Sequence, residues 1–225
     1  MQLKCIDFNG AGEAIADRFH EQWDDLSRVM SDMPLHLKAS DQKGIQDRAI
    51  FDPVGTNEHI AAQLAPRGWQ SGIPIPSDFK FVGTNIDFGK CGVIVEVQFS
   101  NYPFLLNNML RSDLFFRNNT IFHEKPTHLV ILVTKSGMFP SSNSTLYYEQ
   151  AIDQLSAFAK YNVFAVPMRL VGLFEAVGQI EATWTEYSAR RYSRTVVERS
   201  QRQFQISKGR GGRCRIVPND PLIDL

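Results

Sequence analysis

The chain has 225 residues, 43% of them hydrophobic and 21% charged, which supports a packed core and excludes wholesale disorder. Its 24 basic and 24 acidic side chains cancel, so net charge selects no partner, and three widely spaced cysteines (Cys5, Cys91, Cys214) argue against a disulfide scaffold or a zinc ribbon and for a reducing cytoplasm. Lys4 and Asp7 stand where a signal peptide needs an apolar run, and no stretch approaches the ~18 apolar residues of a membrane span.

Residues 11–31 carry Ile15, Phe19, Trp23, Leu26 and Val29 or Met30 at helical spacing with acids between them, which predicts an amphipathic helix closed by Met33-Pro34. A short extended piece follows over 35–39, then a helix from Thr56, as N-cap, to the residue before Pro66. Ile73-Pro74-Ile75-Pro76 is no central strand, because two prolines remove ladder donors. Two strands, 79–88 and 93–99, face each other across Gly89-Lys90-Cys91-Gly92. The spacing of Phe104, Leu105, Met109, Leu110 and Leu114 predicts a helix over 103–117. Leu129 to Val133 reads as a strand buried on both faces, 145–160 as a helix, and 163–174 as another buried strand. This order is an α/β pattern with mixed strand directions, one connection being a hairpin. Residues 190–215 then hold eight Arg and one Lys against Glu198 alone, a local net of +8. An anionic partner such as nucleic acid and a solvated tail both fit that stripe.

The strand 93–99 carries the chemistry. Alternation puts Val93, Val95, Val97 and Phe99 on one face and Ile94, Glu96 and Gln98 on the other. Across the hairpin Asp87 falls near 94–96, so two carboxylates approach each other and repel unless a cation joins them. Mg²⁺, which takes one or two carboxylates and keeps its waters, suits such a pair. The plain reading is a wet sheet face with Glu96 and Gln98 in solvent, and the spacing alone leaves both open. His20, His36, His59, His123 and His128 make no metal spacing, and His36 reads as a hydrogen-bonded structural residue. There is no GxSxG elbow and no P-loop. The pairs Phe115-Phe116 and Tyr147-Tyr148 read as packing.

Asp87 with Glu96-Val97-Gln98 resembles the active-site hairpin of the PD-(D/E)xK nuclease superfamily, and the chain is similar to the BglII-type restriction endonucleases within it. The matching runs are 33–36, 51–57, 86–90, 95–108, 142–144, 146–151 and 191–195, and the similarity weakens over 117–127 and after 196. The resemblance implies a restriction-endonuclease-like fold, a mixed central sheet flanked by helices with a smaller β-rich DNA-contacting subdomain. A catalytic domain over 1–195 and a basic extension over 196–225, part of that subdomain, are expected. It implies a Mg²⁺-dependent type II enzyme of the bacterial cytoplasm, a homodimer cutting both strands of a palindrome by water attack on the phosphodiester. Asp87, Glu96 and Gln98 would be catalytic, with Gln98 where the superfamily has Lys; Asp87, Glu96 and the Val97 carbonyl would serve the metal. Ser100, Asn101, Asn143, Ser144, Tyr192 and Arg194 would read bases, which makes AGATCT with 5′ GATC overhangs the expected site. Asn143 and Ser144 also fit a helix N-cap, with Ser144 or Thr145 capping. A cognate methyltransferase is expected in the same cell. Gly72 stands where the family has Asn, and Ser71 or Gln70 would have to substitute unless the role is dispensable. Three alternatives remain: a catalytically silent DNA-binding protein, a structure-specific or repair nuclease, and a non-nucleic-acid interaction module, which would need the basic stripe to be an inert tail.

Overall fold

The computed structural model describes residues 1–141, 145–189, 194–209 and 212–219. The elements in chain order are β1 Gln2–Phe8, α1 Ala11–Arg18, α2 His20–Asp32, β2 Leu35–Ala39, β3 Ala49–Phe51, α3 Pro53–Leu64, β4 Gln70–Pro74, β5 Asn85–Lys90, β6 Val93–Val97 and α4 Pro103–Arg117. They continue with β7 Ile121–His123, β8 Lys125–Pro126, β9 Leu129–Lys135, α5 Tyr148–Lys160, β10 Met168–Phe174, β11 Gly178–Tyr187, β12 Val196–Lys208 and β13 Cys214–Pro218. No helix among the described residues is long and apolar enough to cross a membrane.

The central sheet runs β1-β10-β9-β6-β5-β4. β6, β9 and β10 are parallel, and β1, β5 and β4 add antiparallel edges. Parallel strands need both faces covered, and all seven residues of β9 are buried. Alternation divides the interior accordingly. Val93, Val95, Val97, Ile131 and Val133 face one cluster with α1, α2, α3 and the second sheet, whereas Ile94, Val130 and Leu132 face another under α4 and α5. The second sheet runs β13-β12-β11-β2-β3, and β2 joins it by pairing parallel to β11. The arrangement is the mixed α/β architecture expected.

Several boundaries differ. The single helix expected over 11–31 is two, because Phe19 leaves helical geometry at φ −125°. α3 starts at Pro53, capped by the Asp52 carboxylate on the Val54 N–H (3.1 Å), with Thr56 buried inside it. Residues 77–82 form a 3₁₀ helix rather than the start of a strand. β10 begins at Met168, five residues later than expected. α5 begins at Tyr148, and the N–H of Tyr147 donates to Gln150 Oε1, so Thr145 is not its cap. Of the two readings left open for Glu96, the wet sheet face is not the one found, since α4 and α5 cover it. Residues 196–208 are not a solvated tail: β12 pairs with β11 from Ile206 at Gly178 to Val196 at Tyr187 and buries Phe204 and Ile206. The division expected at 196 falls at the first residue of β12.

Candidate active site

β5 and β6 pair with Phe88 opposite Val95, which sets Asp87 beside Glu96 at the end of the hairpin away from its turn. Asp87 Oδ2 accepts the Val97 N–H at 2.7 Å, and among the described residues Oδ1 has no protein partner. Glu96 is fully buried. Both of its oxygens are taken by Arg111, from Nε at 3.1 Å and Nη2 at 2.6 Å, a bidentate charge-assisted pair. The backbone of Gly83 makes room for this guanidinium, because a Cβ there would lie 2.7 Å from Nη1. Gln98 is clamped at both ends: Nε2 donates to the Ser100 carbonyl at 2.6 Å, and Oε1 accepts from Asn108 Nδ2 at 3.3 Å.

One helix holds this site together. Asn108 and Arg111 are three residues apart on the inner face of α4, and they reach Gln98 and Glu96, two apart on the strand. The inner face is not the one expected: Leu105 and Met109 are buried, but Phe104 is 50% and Leu110 47% exposed, and Asn108, Ser112 and Asp113 are buried instead. Sequence reading missed Arg111 and Asn108. The available signal was a polar series at helical spacing on a helix following a carboxylate-bearing strand.

The electrostatics favour a cation. Burial raises the Asp87 carboxyl, against the Val97 N–H and Arg111. Burial also pushes Glu96 up to about 7, with Arg111 opposing and Asp87 adding to the rise. Two carboxylates share one guanidinium, and the free Asp87 oxygen completes an all-oxygen donor set. That chemistry fits a hard divalent ion. Direct ligation by Glu96 would have to compete with Arg111, which holds both of its oxygens.

The expected base readers fall in three places. Ser100 and Asn101 are exposed directly after the catalytic strand. Ser100, Arg194 and Val97 line one cavity of about 330 Å³ together with Asn57 and Glu58 of α3. Asn143, Ser144 and Tyr192 lie outside the described residues. Gly72 sits on β4 across from Asp87 with φ +60° and nothing within 4 Å of a Cβ placed there, and Gln70 and Ser71 are exposed on the same edge strand. His36 is buried but not hydrogen-bonded as expected: its ring meets His59 at 5.2 Å, and among the described residues neither nitrogen has a partner.

This constellation stands inside a recognised sequence pattern. Residues 3–173 match the family model described as restriction endonuclease BglII/BglIII. The chain belongs to that family. It is 50% identical over 200 residues to the type II restriction enzyme BglII of Bacillus subtilis, covering 88% of each chain. Crystal structures of BglII agree. BglII complexed with a DNA 16-mer superposes with a TM-score of 0.93 at 46% identity, over 97% of this chain and 100% of that one. Free BglII gives 0.76 at 43% identity with the same coverage. The protein is thus a restriction endonuclease of the BglII family, a site-specific, divalent-metal-dependent class of nuclease, and its fold is the BglII fold.

Proposed function

We propose that the protein cuts both strands of double-stranded DNA at AGATCT and leaves 5′ GATC overhangs, with Mg²⁺ as cofactor. The observation that carries this reading is the Asp87–Glu96–Gln98 constellation in a chain half identical to BglII. Asp87 Oδ1 and the Val97 carbonyl would hold the ion. When bound, Mg²⁺ supplies a Lewis acid that lowers the pKa of water and offsets charge on the scissile phosphate. Glu96, locked by Arg111, orients a water and accepts its proton, and Gln98 adds a neutral hydrogen bond in place of the charge a Lys would bring. The water attacks phosphorus in line with the leaving 3′ oxygen. Gln98 also bonds the Ser100 carbonyl, so the catalytic strand and the expected reader turn move as one unit.

Ser100, Asn101, Asn143, Ser144, Tyr192 and Arg194 would read the bases, amides on adenine edges and Arg on guanine. The sheet formed by β2, β3 and β11–β13 would be the DNA-contacting lobe, and 196–225 would belong to it. A palindrome calls for a two-fold enzyme, each protomer cutting one strand. The outer face of α4, with Tyr102, Phe104, Leu106 and Leu110 exposed, supports a homodimer through that helix. Such an enzyme works in the bacterial cytoplasm beside a methyltransferase that protects the same site.

One observation favours a second reading. Gly72 gives the Asp87 site no amide where the family has Asn, as a catalytically silent reader would. Asp87→Ala and Glu96→Ala test the two. Both variants are expected to abolish Mg²⁺-dependent cleavage while AGATCT binding in Ca²⁺ persists. Wild-type cleavage by either variant would refute the site, and a wild-type protein that binds without cutting would favour the silent reader.

A further inference from the structure

The far end of the catalytic hairpin carries a cluster that the nuclease chemistry does not use. Cys91, at the β5–β6 turn, meets His123 and Glu124 of the β7–β8 turn, and one potential ligand atom from each lies within 4.8 Å of the other two. The Cys91 thiol donates to Glu124 Oε2 at 3.1 Å, and the Cys91 N–H donates to His123 Nδ1 at 3.2 Å. These residues are 32 and 33 positions apart in sequence, which is why histidine spacing alone missed them. Both turn residues are held in the left-handed region, Cys91 at φ 47° and Glu124 at φ 59°. Side-chain-bearing residues occupy that region at a cost of roughly 1 kcal/mol each, and here doing so directs the thiol and the carboxylate at one another.

We propose that Cys91, His123 and Glu124 form a Zn²⁺-type site, separate from the catalytic cation, that staples the tip of the catalytic hairpin to the β7–β8 turn. One thiolate, one imidazole and one carboxylate suit a borderline-soft ion and not Mg²⁺. At Zn–S near ~2.3 Å and Zn–N or Zn–O near ~2.0–2.2 Å, tetrahedral ligand atoms lie about 3.3–3.7 Å apart, so the three atoms need to shift by only about an ångström. Water completes the fourth position. The proton of the Cys91 thiol, which now bridges to Glu124 Oε2, is released to solvent as sulfur binds the ion, one proton per ion. The neighbouring cation Lys90 is turned away, with Nζ on Asp25 at 2.8 Å and on the Arg67 carbonyl. Asp87 lies four residues up β5, roughly 13 Å at ~3.3 Å per residue, too far to share the ion.

The test uses the full chain with Co²⁺ as a spectroscopic probe and Zn²⁺ competed against a chromogenic chelator. Wild type is expected to show a thiolate-to-cobalt charge-transfer band in the near ultraviolet and one tightly held Zn²⁺ per chain. Both should persist in Asp87→Ala, which removes the catalytic carboxylate. Cys91→Ser should lose the band, and His123→Ala should weaken Zn²⁺ binding at least tenfold. Thermal melts without metal, matching wild type, establish that each variant is folded; should Cys91→Ser fail that control, His123→Ala carries the test. The proposal is overturned if wild type shows no charge-transfer band, if the band depends on Cys5 or Cys214 instead, or if a folded Cys91→Ser or His123→Ala binds Zn²⁺ like wild type.

Discussion

Arg111 is what allows Glu96 to be fully buried beside Asp87 before any cation arrives. Its side chain is only 11% exposed, and it reaches from α4 to a Glu96 side chain 1% exposed, where an uncompensated carboxylate is costly. Breaking a buried ion pair from one side costs about 3–5 kcal/mol. Arg111→Met is therefore expected to lower stability by that order in urea unfolding. The double variant Arg111→Met with Glu96→Gln should recover much of it, and an unchanged midpoint in the single variant would contradict the role. His36 gives a separate pH signature. Burial, then the charges of His59 and Arg199, lowers its pKa from 6.5 to about 4. The folded state keeps this ring neutral while the unfolded state protonates, so its share of stability is complete above pH 6.5. That share drains as pH falls towards 4, by up to about 3 kcal/mol. A chain with His36→Leu should show a shallower loss over this window than wild type, since among the described residues the ring nitrogens have no partners to forfeit. Parallel pH profiles for the two would contradict it.

At the scale of elements, the helix α4 was legible from apolar residues at helical spacing and the strand β9 from an unbroken apolar run, Leu129 to Val133. The hairpin was legible as well, with Asp87 expected near 94–96, but its register was not: β5 runs on through Gly89 and Lys90 to a two-residue turn at Cys91-Gly92, which puts Glu96 opposite Asp87. What escaped was which side of α4 faces inward. Phe104 and Leu110 are as apolar as Leu105 and Met109, and the choice was made by Asn108 and Arg111, whose partners lie on another element. Local pattern cannot carry that information. The break at Phe19 and the 3₁₀ helix over 77–82 escaped for the same reason, tertiary packing overriding local propensity. β12 is the opposite lesson. Its charges suggested a tail, yet Phe204 and Ile206, two apart, are the alternating apolar residues of a strand with one buried face. Removing residues 196 onward would strip those side chains from the core, so charge-removing substitutions on β12 are the cleaner probe of DNA affinity.

For the whole molecule, function depends on joining two sheets and, on our reading, two copies. The cavity that Val97, Ser100 and Arg194 share lies where the catalytic strand meets α3 and the segment leading into β12, and α3 is tied to β12 by the ion pair between Glu58 and Arg199. If two-fold pairing runs through the outer face of α4, Leu110→Asp will shift the protein to a monomer in analytical ultracentrifugation and reduce double-strand cleavage in parallel, with its melting profile retained. A variant that stays dimeric would place the interface elsewhere. Cleavage at AGATCT is checked by digesting phage DNA with the purified protein and Mg²⁺ and sequencing the fragment ends. Discrete fragments that all end in 5′ GATC at AGATCT are expected. Discrete fragments ending at another palindrome, or no cutting at all, would contradict this reading.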